Sequence, residues 1–151
     1  MSKHTQVREA GDGLHMRALI AANPCRSGLI TGAMLGLPHV LITEDLSIVI
    51  SALTLTFIAG IYMGFAIVRG TETAFGVELI AAVGYTLIAL LGVVFIKWMI
   101  PLGLVAHSAW DLAHHHRHAA LTDLPKWYVP FCIVVDLVLA AILITIWITR
   151  G

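Results

Sequence analysis

Charged residues are scarce in this sequence. Lysine, arginine, aspartate and glutamate make up only 12% of its 151 residues, whereas an ordinary soluble domain has about 25%. Hydrophobic residues make up 59%, against about 45–50% in soluble domains. A core of this size cannot bury so much apolar surface, so we expect lipid to be the solvent for the excess. Nine basic residues balance nine acidic ones, which argues against a nucleic-acid partner.

Cysteine is rare as well, and several familiar motifs are missing. Cys25 precedes the first long apolar run and Cys132 lies within the last, so we expect no disulfide between them. The lack of an HExxH motif excludes the usual zinc-peptidase arrangement. The first long apolar run begins near Ser27, late for a signal peptide, and no small-x-small cleavage site follows it. We therefore predict a retained cytoplasmic N-terminal segment, 1–26, and a transmembrane helical domain, 27–149.

Five apolar runs follow one another along the chain. They cover residues 27–43, 46–68, 75–96, 98–114 and 128–148. The first would reach roughly 25 Å as a helix, slightly short for a hydrocarbon core. We predict an all-α, polytopic bundle of five transmembrane helices, with four spans plus a re-entrant or interfacial first segment as the alternative.

Spaced glycines in the first three runs predict closely packed helix faces, because small residues let neighbouring backbones approach. These glycines are Gly28, Gly32 and Gly36 in the first run, Gly60 and Gly64 in the second, and Gly76, Gly84 and Gly92 in the third.

Basic residues are distributed unevenly among the connecting segments. With the N-terminus inside, the inner segments hold seven lysines and arginines, and the outer segments hold only Lys97 and Arg150. Because cytoplasmic loops are enriched in basic residues, we predict a multi-pass protein of the bacterial inner membrane with a cytoplasmic N-terminus. Membrane lipids are its expected partners, and both a homo-oligomer and a larger membrane complex stay open.

Most of the side chains that could bind a metal lie in the stretch HSAWDLAHHHRH, from His107 to His118. It contains five of the eight histidines and one aspartate. At about 100° per residue, four candidate ligands share an arc of roughly 60° if the helix continues to the end of the stretch. They are His107, Asp111, His114 and His118, with His115 as a fifth beside them. Side chains three or four residues apart on a helix can bind one ion.

Two carboxylates on other spans reach the same depth as this stretch. By helical rise, His107 and Asp136 each lie about 10–12 Å inside the cytoplasmic end of their spans, and Glu78 lies near the level of Asp111 or His114. A charge in hydrocarbon is costly. We therefore predict that these groups bind a divalent transition metal (zinc, iron or manganese), with Glu78 as a further ligand or general base. A metal-free, hydrogen-bonded structural cluster is the alternative.

The remaining histidines have simpler interpretations. Residues 115–118 also suit an interfacial anchor near the lipid headgroups. His39 lies near the outer end of the first run, where we expect a helix-packing or interfacial histidine.

Two patterns resemble known families. HxxWDxxHH from His107 to His115, followed by WYxPxCxxxD from Trp127 to Asp136, resembles a pattern in small bacterial polytopic membrane proteins of unassigned function. This resemblance implies no particular activity. The segment HxxxDxxHH is similar to the histidine boxes of membrane di-iron desaturases and hydroxylases, with Asp111 where a histidine would stand. The chain departs from that family because it has one such cluster instead of three.

Three functions are compatible with these features. The first is a metal-dependent membrane enzyme that acts on a lipid or another hydrophobic substrate. The second is a non-catalytic membrane subunit whose polar cluster stabilises the bundle or a partner interface. The third is a small proton or divalent-cation transporter, which would require an oligomer because five spans are few for that task.

Overall fold

A computed structural model of the chain describes residues 18–116 and 121–150. Within these ranges the regular structure is helical and contains no strand, which confirms the all-α prediction. Residues 18–22 are helical. Five numbered helices and a 3₁₀ turn follow: α1 Pro24–Gly36, the 3₁₀ turn Leu37–Leu41, α2 Glu44–Arg69, α3 Glu72–Val94, α4 Met99–His115 and α5 Tyr128–Arg150. Most of the predicted N-terminal segment and the candidate ligand His118 lie outside the described residues.

Threonine caps start two helices a few residues before their apolar runs begin. The Thr43 side-chain oxygen accepts a hydrogen bond from the Leu46 amide at the start of α2, and Thr71 accepts one from Ala74 at the start of α3. Each cap satisfies an amide that has no partner within the helix, and acidic residues in the first turn favour the positive end of the helix dipole. The capped turns explain why α2 and α3 begin two and three residues before the predicted runs.

Three of the five helices are long and apolar enough to cross a membrane. They are α2, α3 and α5. The other two are shorter: α1 has 13 residues and α4 has 17, or about 20 and 26 Å by helical rise. Large hydrophobic side chains cover the outside of the bundle, including Phe57 at 70% and Ile80 at 75% exposure. Such a surface suits a lipid environment.

The glycines of α1 form a packed interface with α5. A Cβ atom added at Gly28 would lie 2.6 Å from the Phe131 carbonyl oxygen, and one at Gly32 would lie 2.9 Å from the Val138 Cβ. A Cβ on Gly36 would crowd α5 in the same way. The glycine stripe of the first run therefore marks a close helix contact, as predicted.

The glycines of α2 and α3 behave differently. A Cβ at Gly60, Gly64, Gly76 or Gly84 would meet no neighbouring atom of the described chain within 4 Å. Only Gly92 is close-packed, against α4. The packed-face prediction is thus confirmed for the first run and Gly92, and it is wrong for the other four glycines within this single chain. A small residue permits a close approach but does not select the helix that makes it.

Two apolar clusters divide the interior along the helix axes. The first includes Leu55 on α2, Leu104 on α4 and Trp147 on α5. The second, near the opposite end, includes Tyr62 on α2 and Cys132 on α5. On α5, Asp136 lies between Cys132 of the second cluster and Leu139 of the first, and on α4 the buried polar residues follow Leu104 of the first cluster. This order sets the position of the candidate site.

His39 links the 3₁₀ turn to the bundle. Its Nδ1 atom lies 2.8 Å from the Ser47 hydroxyl oxygen, to which Trp147 Nε1 also donates at 2.9 Å. The Arg150 guanidinium donates to the carbonyl oxygens of residues 39, 40 and 42. His39 therefore packs between helices, as its position in the sequence predicted.

Candidate metal centre

One face of α4 carries three buried polar side chains. His107, Asp111 and His114 follow at intervals of four and three residues, so the helical repeat places them on one side. Their exposures are 1%, 0% and 5%. The helix ends at His115, with His116 in a turn. The predicted arc of four ligands required a helix that continues to His118, whereas this helix ends at His115.

His107 joins the two aspartates. Its Nδ1 atom lies 2.8 Å from Asp136 Oδ2 on α5 and 3.6 Å from Asp111 Oδ1 on its own helix. Each of the three residues offers one ligand atom, and these atoms all lie within 4.8 Å of one another. We refer to His107, Asp111 and Asp136 as the ligand triad. Two helices thus build a compact donor set of one imidazole nitrogen and two carboxylate oxygens.

The triad has unused bonding capacity. Among the described residues, His107 Nε2, Asp111 Oδ2 and Asp136 Oδ1 are buried and have no hydrogen-bond partner. Buried polar atoms normally find a partner, because desolvation without one costs free energy. Two carboxylates also outnumber the single imidazole, so protonation of His107 alone cannot neutralise the ionised triad. A divalent cation fits this donor set and charge.

Tyr62 orients the triad from α2. Its hydroxyl donates a hydrogen bond to Asp111 Oδ1, and its ring packs edge-on against His107 at a centroid distance of 5.4 Å. No pattern in the sequence predicted Tyr62 as a site residue. The one available signal was its level along the bundle, because the residue lies about 10 Å before the end of α2 at Arg69 by helical rise.

Glu78 and His114 form a separate pair beside the triad. Glu78 Oε1 lies 2.7 Å from His114 Nε2, and Trp110 Nε1 donates to Glu78 Oε2 at 3.3 Å. His114 Nδ1 lies 3.0 Å from the Trp110 carbonyl oxygen. Because a carbonyl oxygen can only accept, His114 Nδ1 donates to Trp110, and one further proton is shared between His114 Nε2 and Glu78 Oε1.

This pairing determines what is free to bind a metal. Both nitrogens of His114 already have an oxygen partner. Glu78, which contacts His114 and Trp110, also accepts a hydrogen bond from the Thr122 amide at 3.4 Å. The structure therefore brings Glu78 and His114 together, at the depth predicted, but outside the triad. A catalytic role for Glu78 and a ligand role for His114 stay predictions.

His115 lies on the other side of the helix end. Its side chain is exposed, and its ring packs near His116 at 6.0 Å between centroids. It lines a cavity of about 150 Å³ together with Asp123 and Lys126. This position matches the interfacial interpretation more closely than a place in the triad.

No family model matches the chain, and no curated protein or solved structure matches it. The two resemblances in the sequence stay predictions. The geometry of the triad is the feature that supports a function.

Proposed function

We propose that this chain is a multi-pass protein of the bacterial inner membrane in which all five helices cross the bilayer and the N-terminus is cytoplasmic. The pairing of helix ends supports this arrangement. Lys97, between α3 and α4, forms a 2.7 Å ion pair with Glu44 at the start of α2, and Arg150 at the end of α5 contacts the α1–α2 connection. These ends belong to the outer side in the predicted topology.

We further propose that the ligand triad binds a divalent transition metal: zinc, iron or manganese. The observation that supports this most strongly is the buried convergence of three ligand atoms within 4.8 Å, each on a residue with an unpartnered polar atom. A bound ion would relieve the repulsion between Asp111 and Asp136. It would also give His107 and both carboxylates the partner that a hydrocarbon environment does not supply.

The proposed activity is that of a metal-dependent membrane enzyme acting on a lipid or another hydrophobic substrate. A bound ion would polarise a substrate oxygen or activate a water molecule. Tyr62 holds the Asp111 carboxylate in place, and the Glu78–His114 pair fixes α3 against α4. The apolar packing around the triad keeps bulk water away from it.

A transport path is less well supported by the described residues. Leu55, Ile100, Leu104 and Leu143 fill the outer half of the bundle and are fully buried. A proton or cation that reached the triad from the cytoplasmic side would meet this apolar cluster next. The enzyme proposal requires access to the triad from one side only.

Metal analysis of detergent-purified protein tests the proposal. The protein is produced without a polyhistidine tag, and bound metals are quantified by mass spectrometry for wild type, His107→Ala and His115→Ala. We expect near-stoichiometric metal in wild type and His115→Ala and a loss in His107→Ala, because only His107 belongs to the triad. Wild type that stays metal-free after incubation with zinc, iron and manganese would overturn the proposal, as would unchanged metal in His107→Ala.

A further inference from the structure

An apolar groove runs along the bundle between α1 and α2, with α5 as its floor. Its volume is about 420 Å³, within the roughly 300–1,000 Å³ typical of small-molecule sites. The lining includes Leu35 from α1, Leu53, Phe57 and Ile61 from α2, and Phe131 and Asp136 from α5. The groove follows α2 from Ile50 to Ile61, about 16 Å by helical rise. An aliphatic chain of moderate length fits these dimensions.

The groove opens sideways, toward the lipid. Because α1 packs along α5 through its glycines, a gap is left between α1 and α2. Leu53 and Phe57 border this gap and are 65% and 70% exposed. An aliphatic chain can therefore pass from the bilayer into the groove without crossing water.

Asp136 is the acidic residue in the groove lining, and it is also a member of the ligand triad. Its side chain is fully buried, and its two oxygens have different surroundings. Oδ2 lies 2.8 Å from His107 Nδ1, whereas Oδ1 has no hydrogen-bond partner. The rest of the lining is apolar apart from Thr31, Thr54, Tyr128 and Cys132. In the absence of metal, a hydrogen-bond donor on an occupant of the groove would satisfy the unpartnered carboxylate oxygen.

We propose that the groove binds a lipid alcohol, with the aliphatic chain between α1 and α2 and the hydroxyl donating to Asp136 Oδ1. A neutral hydroxyl satisfies this oxygen. In the metal-free protein, a fatty-acid carboxylate would instead be repelled by Asp136 and Asp111. The hydroxyl is then next to the ligand triad, where a bound metal would act on it. This names the substrate class of the proposed enzyme and rests on that proposal for its catalytic meaning, while the binding itself does not require metal.

Photo-crosslinking of the purified full chain tests this inference. Three probes of equal length carry a diazirine at the same carbon and end in a hydroxyl, a carboxylate or a methyl group. In metal-free protein, we expect the alcohol to label groove residues at least about tenfold more than the acid, because the acid brings a like charge to the aspartates. The methyl-ended probe should also label less, since it leaves Asp136 Oδ1 without a donor. Equal labelling by the three probes, or labelling outside the groove, would overturn the inference.

A pair of matched variants locates the binding. Leu53→Trp fills the groove from an exposed position, and Leu87→Trp adds the same bulk on α3, where the residue is 54% exposed and outside the groove. We expect alcohol labelling to be lost in Leu53→Trp and kept in Leu87→Trp. Unlabelled straight-chain and isoprenoid alcohols serve as competitors. Competition by either supports the inference and identifies the chain type, whereas competition by neither contradicts it.

Metal content measured on the same samples separates the two proposals. Protein that binds metal when it is supplied, but shows no preference for the alcohol in its metal-free form, would overturn the groove inference alone. Selective alcohol labelling in protein that binds no metal would overturn the proposed metal enzyme alone.

Discussion

Tyr62 and Tyr85 both lie beside His107, but only one of them touches a ligand carboxylate. The Tyr62 hydroxyl donates to Asp111, whereas the Tyr85 hydroxyl donates to the Ala106 carbonyl oxygen. Removing a hydrogen bond to a metal ligand usually lowers metal affinity by about 10–100-fold. We expect this loss in Tyr62→Phe and not in Tyr85→Phe, measured by competition with a metal chelator. Equal affinities in the two variants would show that Asp111 is not a ligand.

The Glu78–His114 pair makes a second prediction at the scale of residues. Glu78→Ala leaves His114 Nε2, Trp110 Nε1 and the Thr122 amide without their shared partner. Each buried polar group left in this way costs about 1–3 kcal/mol. We expect a large drop in thermal stability in detergent. Glu78→Gln should lose less because its amide oxygen still accepts hydrogen bonds.

Glu72→Ala is the control for this measurement, since Glu72 is exposed on the same helix. It should change the stability by no more than about 1 kcal/mol, the upper range for an exposed acidic residue at a helix N-terminus. A stable Glu78→Ala protein would contradict a structural role and return attention to the predicted role as a general base.

Some of the side-chain contacts at this site could not be predicted from the sequence. Helical spacing placed His107 and Asp111 on one face, and span depth brought Asp136 to the same level. Neither rule fixes the rotation of one helix against another. The sequence therefore could not decide that Glu78 would meet His114 instead of His107. Tyr62 was missed because a tyrosine in an apolar run has an ordinary packing explanation.

At the scale of helices, the contact between α1 and α5 depends on glycine. Gly32 faces Val138 so closely that a larger side chain must push the helices apart. We expect Gly32→Leu to destabilise the protein by about 1–3 kcal/mol, the range for overpacking a tight interior. Thermal unfolding in one detergent measures the change.

Gly60→Leu provides the matched control, because no neighbouring atom of the described chain lies within 4 Å of a Cβ there. Its stability should stay within about 0.5 kcal/mol of wild type. Similar losses in the two variants would mean that α2 also packs against another helix, such as one from a second copy of the chain.

The helices themselves were largely predictable. Apolar runs located all five, and most ends fall within about three residues of the prediction. The largest shift is at the end of the first run, which was predicted at residue 43, whereas α1 ends at Gly36 and the 3₁₀ turn at Leu41. The change after Gly36 from an α-helix to a 3₁₀ turn coincides with Pro38, whose ring disfavours a continuous helix. Which glycines pack was not predictable, because packing depends on a partner helix that is distant in sequence.

For the whole molecule, the two native cysteines offer a test of topology. Cys25 is exposed and Cys132 is buried, so a membrane-impermeant thiol reagent should react with Cys25 alone. With a cytoplasmic N-terminus, we expect no reaction in intact spheroplasts and strong labelling after permeabilisation.

A second cysteine position decides between five and four spans. Asp45 is exposed at the start of α2, and Asp45→Cys in a Cys25→Ser background should react from outside in intact spheroplasts. If α1 is re-entrant, positions 25 and 45 lie on the same side and respond alike. Opposite responses support a crossing by α1.

The sideways opening of the groove has a consequence for how binding is measured. A ligand that arrives between α1 and α2 is supplied by the bilayer plane, so its mole fraction among lipids, and not its bulk molarity, sets the occupancy of the groove. In micelles, adding detergent at constant ligand concentration lowers the mole fraction of the ligand. Apparent dissociation constants in molar units should therefore rise in proportion to the detergent-to-ligand ratio. Values from different experiments become comparable only when they are expressed as mole fractions of ligand in the micelle.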